Sequence, residues 1–154
     1  MKRIISLSLV LIVCALALSS CGVFDHARRG EEATKGFLAC LETDDYMSAG
    51  SYLHSASDIP KIELKSAIET LEDELNIDFS EKTELTAIYS METMLYPFTE
   101  YGEATLVHFV FEGNIGEKPV YIQVIYLEDD RGAGIYDFAV SLSSAGSLSG
   151  SLEG

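Results

Sequence analysis

The stretch Leu64–Met94, LKSAIETLEDELNIDFSEKTELTAIYSMETM, changes its hydrophobic period partway along, and that change decides the fold class. Leu64, Ile68, Leu71 and Leu75 recur at i, i+4, i+7 and i+11 opposite Glu63, Lys65, Glu69, Glu72, Asp73 and Glu74. That is the apolar stripe and wet face of an amphipathic helix. From about residue 82 the period becomes two, and Thr83–Met94 is rich in residues that favour strands, with Leu85, Ala87, Tyr89 and Met91 on one face.

Upstream the pattern stays helical. Ala33, Phe37 and Leu41 follow i, i+4 spacing behind Glu31-Glu32, acids that suit a first turn. Thr43-Asp44-Asp45 reads as a break and new cap, and Tyr46, Ala49 and Leu53 as the stripe of a second short helix. Ser55–Asp58 reads as a loop, and Pro60 suits the first turn of the third helix. Downstream, Leu95–Gly102 with Pro97 reads as a connection. Glu103–Phe111 is a strand presenting Thr105, Val107, Phe109 and Phe111, and Glu112–Lys118 is a turn. Val120–Leu127 is apolar on both faces, which suits a central strand. Glu128–Gly134 (EDDRGAG) makes a solvated turn, and Ile135–Leu142 closes with Tyr136, Phe138, Val140 and Leu142 on one side. The Ser- and Gly-rich tail 143–154 lies beyond. Helices followed by four antiparallel strands predict an α+β domain over 31–142, its N-terminal helices packed on one face of a curved sheet.

The order resembles the nuclear transport factor 2-like superfamily, whose cystatin-like cone wraps a bent sheet around a long N-terminal helix. The matching pieces are ATKGFLACLETDDYMSAGSYL (33–53) and LEDDRGAGIYDFAVSL (127–142). Relatives commonly begin the last strand with an aromatic such as Trp after an acidic turn, where this chain has Gly134-Ile135-Tyr136. Enzymes of the superfamily project a His or Asp into the cone for acid–base chemistry. The resemblance makes His108 and Asp137 the catalytic candidates for an isomerase- or dehydratase-like reaction. Tyr89, His108 and Tyr136 are candidate linings of a ligand pocket, with tyrosine hydroxyls as handles. Parity sets His108 with Leu106 and Val110, and Asp137 with Ile135, Ala139 and Ser141; which face is inside stays open.

The N-terminus carries an address. Lys2-Arg3 precede the 15-residue apolar run Ile4–Leu18, short for a span and suited to a secretory signal. Leu18-Ser19-Ser20-Cys21 directly after it resembles the lipobox of bacterial lipoproteins. The resemblance implies cleavage before Cys21, which becomes a lipidated N-terminus bearing a diacylglycerol thioether and acyl (palmitate) chains. Several chains on one Cys anchor stably, each buried CH₂ contributing about 0.8 kcal/mol. Gly22, where no Asp stands, resembles an outer-membrane destination in a diderm cell. Residues 22–30 then form a tether from the membrane to the domain.

Charge divides along the same boundary. The whole chain carries −15, but residues 1–20 hold Lys2 and Arg3 and no acid, leaving 8 Lys+Arg against 25 Asp+Glu beyond them. So acidic a domain offers no basic face for nucleic acid. The sequence has no Gly-rich phosphate loop, no G-x-S-x-G elbow, no C-x-x-C and no H-E-x-x-H. His26, His54 and His108 have no His or Cys at ligand spacing, so no metal or other cofactor is implied, and Glu128-Asp129-Asp130 lacks the oxygen pattern of a calcium loop. With Cys14 in the leader and Cys21 lipidated, Cys40 stands alone among Phe37, Leu38 and Leu41 as a small buried hydrophobe. These features predict a non-catalytic envelope lipoprotein that binds an envelope protein partner or small ligand. The alternatives are the small pocket enzyme and an acidic inhibitor of a cationic envelope protein.

Overall fold

The computed structural model describes residues 24–59 and 61–142. The leader, the lipobox residues Leu18, Ser19 and Ser20, Cys21, Pro60 and the tail from 143 lie outside the described residues. The chain is helical over 24–41 (α1), then forms α2 (Tyr46–Ala49), a 3-10 turn (Gly50–Tyr52) and α3 (Leu64–Leu75). Strands β1 (Thr83–Thr99), β2 (Gly102–Ile115), β3 (Lys118–Asp129) and β4 (Gly132–Leu142) follow. They pair antiparallel in the order β1-β2-β3-β4, an open and curved sheet with β3 in its interior. This is the expected α+β arrangement.

One face of the sheet carries the core. Val107, Phe109 and Phe111 of β2, Val120, Ile122 and Val124 of β3, and Ile135, Phe138 and Val140 of β4 are all buried. Against them pack Phe37, Leu38 and Leu41 of α1 and Leu64, Ile68 and Leu71 of α3. The rings of Phe37 and Phe138 meet edge-on at 5.1 Å, and Phe109 stacks on Phe111 at 5.3 Å. α1 reaches β2 through Gly30, where an added Cβ would stand 2.6 Å from the Phe109 ring. Only a residue without a side chain permits that approach.

Side chains pin the joints. Asp45 caps α2 by accepting the Ser48 N–H at 3.0 Å. Asn76 ends α3 in the left-handed region at φ 50°. Glu72 then accepts the Phe79 N–H at 2.7 Å, and Glu42 accepts the Thr83 N–H at 2.7 Å, tying the start of β1 to the end of α1.

Several boundaries differ from expectation, each for a physical reason. Residues 24–30, read as tether, are helical, because Ala27, Gly30 and Thr34 continue the inward stripe with small residues that hydropathy barely registers. β1 runs on through Pro97 to Thr99; an edge strand tolerates proline, and the register slips between Tyr96 and Thr99. Further register shifts after Leu85 and Ile88 break strict alternation, so Leu85, Ile88 and Met91, not Ala87, lie opposite the inner residues Gly113, Phe111 and Phe109. A shift at Tyr136 likewise leaves Ile135 and Phe138 inside and turns Asp137 to the outer face.

Candidate functional site

Polar side chains concentrate where β3 turns into β4. Asp129, the last residue of β3, has only 2% of its side chain exposed, and the His54 ring only 1%. His54 Nε2 lies 3.3 Å from Asp129 Oδ1. Nδ1 accepts the Ala56 N–H at 3.0 Å, which leaves the ring proton on Nε2. That N–H is out of line for a hydrogen bond to Oδ1, so the contact is electrostatic. Across the turn, Arg131 places Nε and Nη2 on Asp129 Oδ2 at 3.0 and 2.6 Å. Its guanidinium lies 3.7 Å over the Tyr101 ring. A line of side chains thus runs from Tyr101 on the surface through Arg131 and Asp129 to His54 inside. The Arg131 hydrogen bonds hold the Asp129 carboxyl below the ordinary range, against the opposing effect of burial.

The backbone around His54 explains its burial. Leu53 bridges to Ile135, the His54 N–H donates to the Ile135 carbonyl at 2.8 Å, and Ser57 Oγ donates to the Tyr136 carbonyl at 2.8 Å. This approach needs Gly134, where an added Cβ would stand 2.7 Å from the His54 nitrogen. Beside this cluster, Glu128 Oε2 takes Arg29 Nη2 at 3.0 Å and His26 Nδ1 at 2.9 Å, holding the start of α1 to β3.

The expected solvated turn is therefore corrected at Glu128 and Asp129, which join sheet to helix and loop. Sequence reading missed His54 with Asp129, 75 positions apart; the one local signal was the Asp–x–Arg spacing of Asp129 and Arg131. Sealed from solvent, the His54–Asp129 contact gives no reacting group access, and its effect is to fasten residues 53–57 to the sheet.

His108 and Asp137 fall elsewhere. His108 pairs with Ile125, and Ile125 pairs with Asp137, so the two lie in one row on the outer face with a strand between them. Two strand spacings put them about 10 Å apart. Asp137 instead accepts the Phe138 N–H at 2.9 Å. Tyr136 stands on the β4 edge strand and Tyr89 on the β1 edge strand, the Tyr89 side chain being outside the described residues. The register thus keeps the catalytic pair a strand apart, and His108 and Tyr136 likewise stand on β2 and β4 with β3 between them. An open depression of about 500 Å³ lies between α2 and residues 61–65, lined by Tyr46, Met47, Lys61, Ile62 and Lys65. None of His108, Tyr136 and Asp137 lines it.

A different feature marks the inner face. Ile88, Met91 and Leu95 of β1 stand opposite Phe111, Phe109 and Thr105 on the core-bearing side, yet remain 43%, 45% and 61% exposed. The helices cover β2–β4 and leave this strip of β1 open to solvent. Among the described residues there is no cluster of metal-ligating side chains, and no helix is long and apolar enough to cross a membrane. No known family model matches the chain, and no curated protein matches it.

Proposed function

We propose that this chain is an extracytoplasmic lipoprotein, anchored through lipidated Cys21, whose domain is a non-catalytic binding module for a protein partner at the cell envelope. The observation that carries the binding role is the uncovered strip Ile88–Met91–Leu95, which continues the buried core outward. Contiguous exposed apolar surface marks an interaction site. The separation of His108 from Asp137 across Ile125 favours binding over acid–base chemistry. The address rests on the leader and on Leu18-Ser19-Ser20-Cys21, and Gly22 directs the anchor to the outer membrane in a diderm host. The likeness of element order to the nuclear transport factor 2-like cone supports the same reading, since a curved sheet around a helix presents an open mouth to partners.

Cys21→Ser tests the anchor: labelled palmitate should no longer enter the protein, and the domain should leave the membrane fraction. Unchanged labelling refutes the lipidation. A photo-crosslinking residue at position 91 tests the binding role in intact membranes. Protein adducts are expected there, and their complete absence refutes it.

A further inference from the structure

The inner strip of β1 has a charge environment as distinct as its apolarity. Residues 83–115, the whole β1–β2 hairpin, contain five Glu and no Lys or Arg. Glu103, which shares the inner parity of Thr105, and Glu100 in the adjoining turn are exposed at the Leu95 end of the strip; Glu92, beside His108, and Glu84, ion-paired with Lys82, lie on the opposite face. Arg28 and Lys35 on the neighbouring α1 are already paired within their helix, with Glu32 at 2.9 Å and Glu31 at 2.6 Å. An occupant must therefore combine an apolar face with positive charge where it meets the Leu95 end.

Its shape follows from the strand. Three register irregularities and Pro97 interrupt the free edge of β1, devices that oppose addition of another strand. The face itself accepts a helix, because α1 already lies on the adjacent β2 with Gly30 against Phe109, the residue paired with Met91. Ile88 to Leu95 spans roughly 23 Å of strand, the length of a helix of about 15 residues.

We infer that the strip Ile88–Met91–Leu95 is the dock for a cationic amphipathic helix of a partner protein, laid on β1 alongside α1. This rests on the binding-module reading and specifies the partner's chemistry. Apolar burial provides the hold, and Glu100 and Glu103 select the sign of charge at the Leu95 end.

The test uses the full chain in nanodiscs of zwitterionic lipid and a labelled helical peptide of about 15 residues, with Leu on one face and Lys along its flanks. Fluorescence anisotropy should show binding absent from empty nanodiscs and weakened by salt. Met91→Ser with Leu95→Ser should weaken it about tenfold or more. Glu103→Lys, which leaves the apolar strip intact, should weaken it as well, each variant first shown to keep the parent circular dichroism. Equal binding of a Glu-flanked peptide overturns the inference, as does a bound peptide with the infrared signature of a strand. Self-association that the double serine variant abolishes assigns the strip to a second copy and also overturns it. The crosslinker at position 91 separates the two levels. Adducts that the Lys-flanked peptide fails to displace sink this inference alone, whereas no adducts at all sink the binding module.

Discussion

Gly134→Ala should destabilise the domain, while Gly50→Ala should not. At Gly134 the added methyl meets backbone: the His54 nitrogen at 2.7 Å, the Tyr52 carbonyl oxygen at 2.8 Å and His54 Cα at 3.0 Å. Ordinary contact begins near 3.5 Å, so the 52–54 segment must retreat by roughly 0.8 Å. Overpacking of that kind costs about 1–3 kcal/mol. The retreat also strains the 2.8 Å hydrogen bond from His54 to Ile135, which contributes about 1 kcal/mol. The sum is about 2–4 kcal/mol, a fall in Tm of about 10 °C for a domain of this size. At Gly50 the backbone is already right-handed at φ −59°, and the nearest atom to an added Cβ is Lys61 Cβ at 3.7 Å. Alanine fits there and stabilises by about 0.4–1 kcal/mol through the unfolded chain. Thermal melts by circular dichroism measure both, and the His54 ring resonances report whether the ring leaves its place beside Asp129. If Gly134→Ala melts within about 2 °C of the parent, the close approach of 52–54 to β4 is wrong; if Gly50→Ala falls as far, the open space beside Gly50 is wrong.

Asp129→Asn keeps the shape and removes the charge that Arg131 stabilises. Because the folded carboxyl titrates below its unfolded value of about 3.9, its contribution is present above that pH and lost as pH falls through the folded value. Urea midpoints should drop for the variant at neutral pH and converge with the parent's in acid; parallel curves would contradict the pairing. The Tyr46 hydroxyl should titrate late, pushed up to about 12 by burial first and by its 3.1 Å hydrogen bond to Asp44 second. Ultraviolet tyrosinate titration should show this transition move down in Asp44→Asn without reaching the ordinary value. No movement would remove Asp44 from the account.

The period switch between Leu75 and Thr83 was legible because α3 and the sheet each present one face to one core. Val107, Phe109 and Phe111 declared themselves for the same reason: β2 alternates through them without interruption. What escaped lies where alternation fails or where packing uses no apolar bulk. The irregularities in β1 exchange Ala87 for Ile88 on the inner face, and no residue type announces a bulge. The first turns of α1 hide because Ala27 and Gly30 pack through closeness and not through size. His54 and Asp129 look like a loop histidine and a turn aspartate until the Gly134 approach closes over them. The strip on β1 was half legible: its apolar residues are visible in sequence, whereas their lack of cover is a property of where the helices end.

The sheet order has a temporal side. Each strand pairs with its immediate neighbour in the chain, so every hairpin is complete as soon as its second strand exists. α1 is the exception, for its Phe37 packs against Phe138, about a hundred residues later. As the chain emerges N-terminus first, α1 is made well before β4, the strand whose Phe138 completes the packing around Phe37. Throughout synthesis the apolar stripe of the helix waits for a partner not yet made. A holding chaperone that recognises exposed apolar helix should therefore meet this protein early and release it only when the final strand is complete.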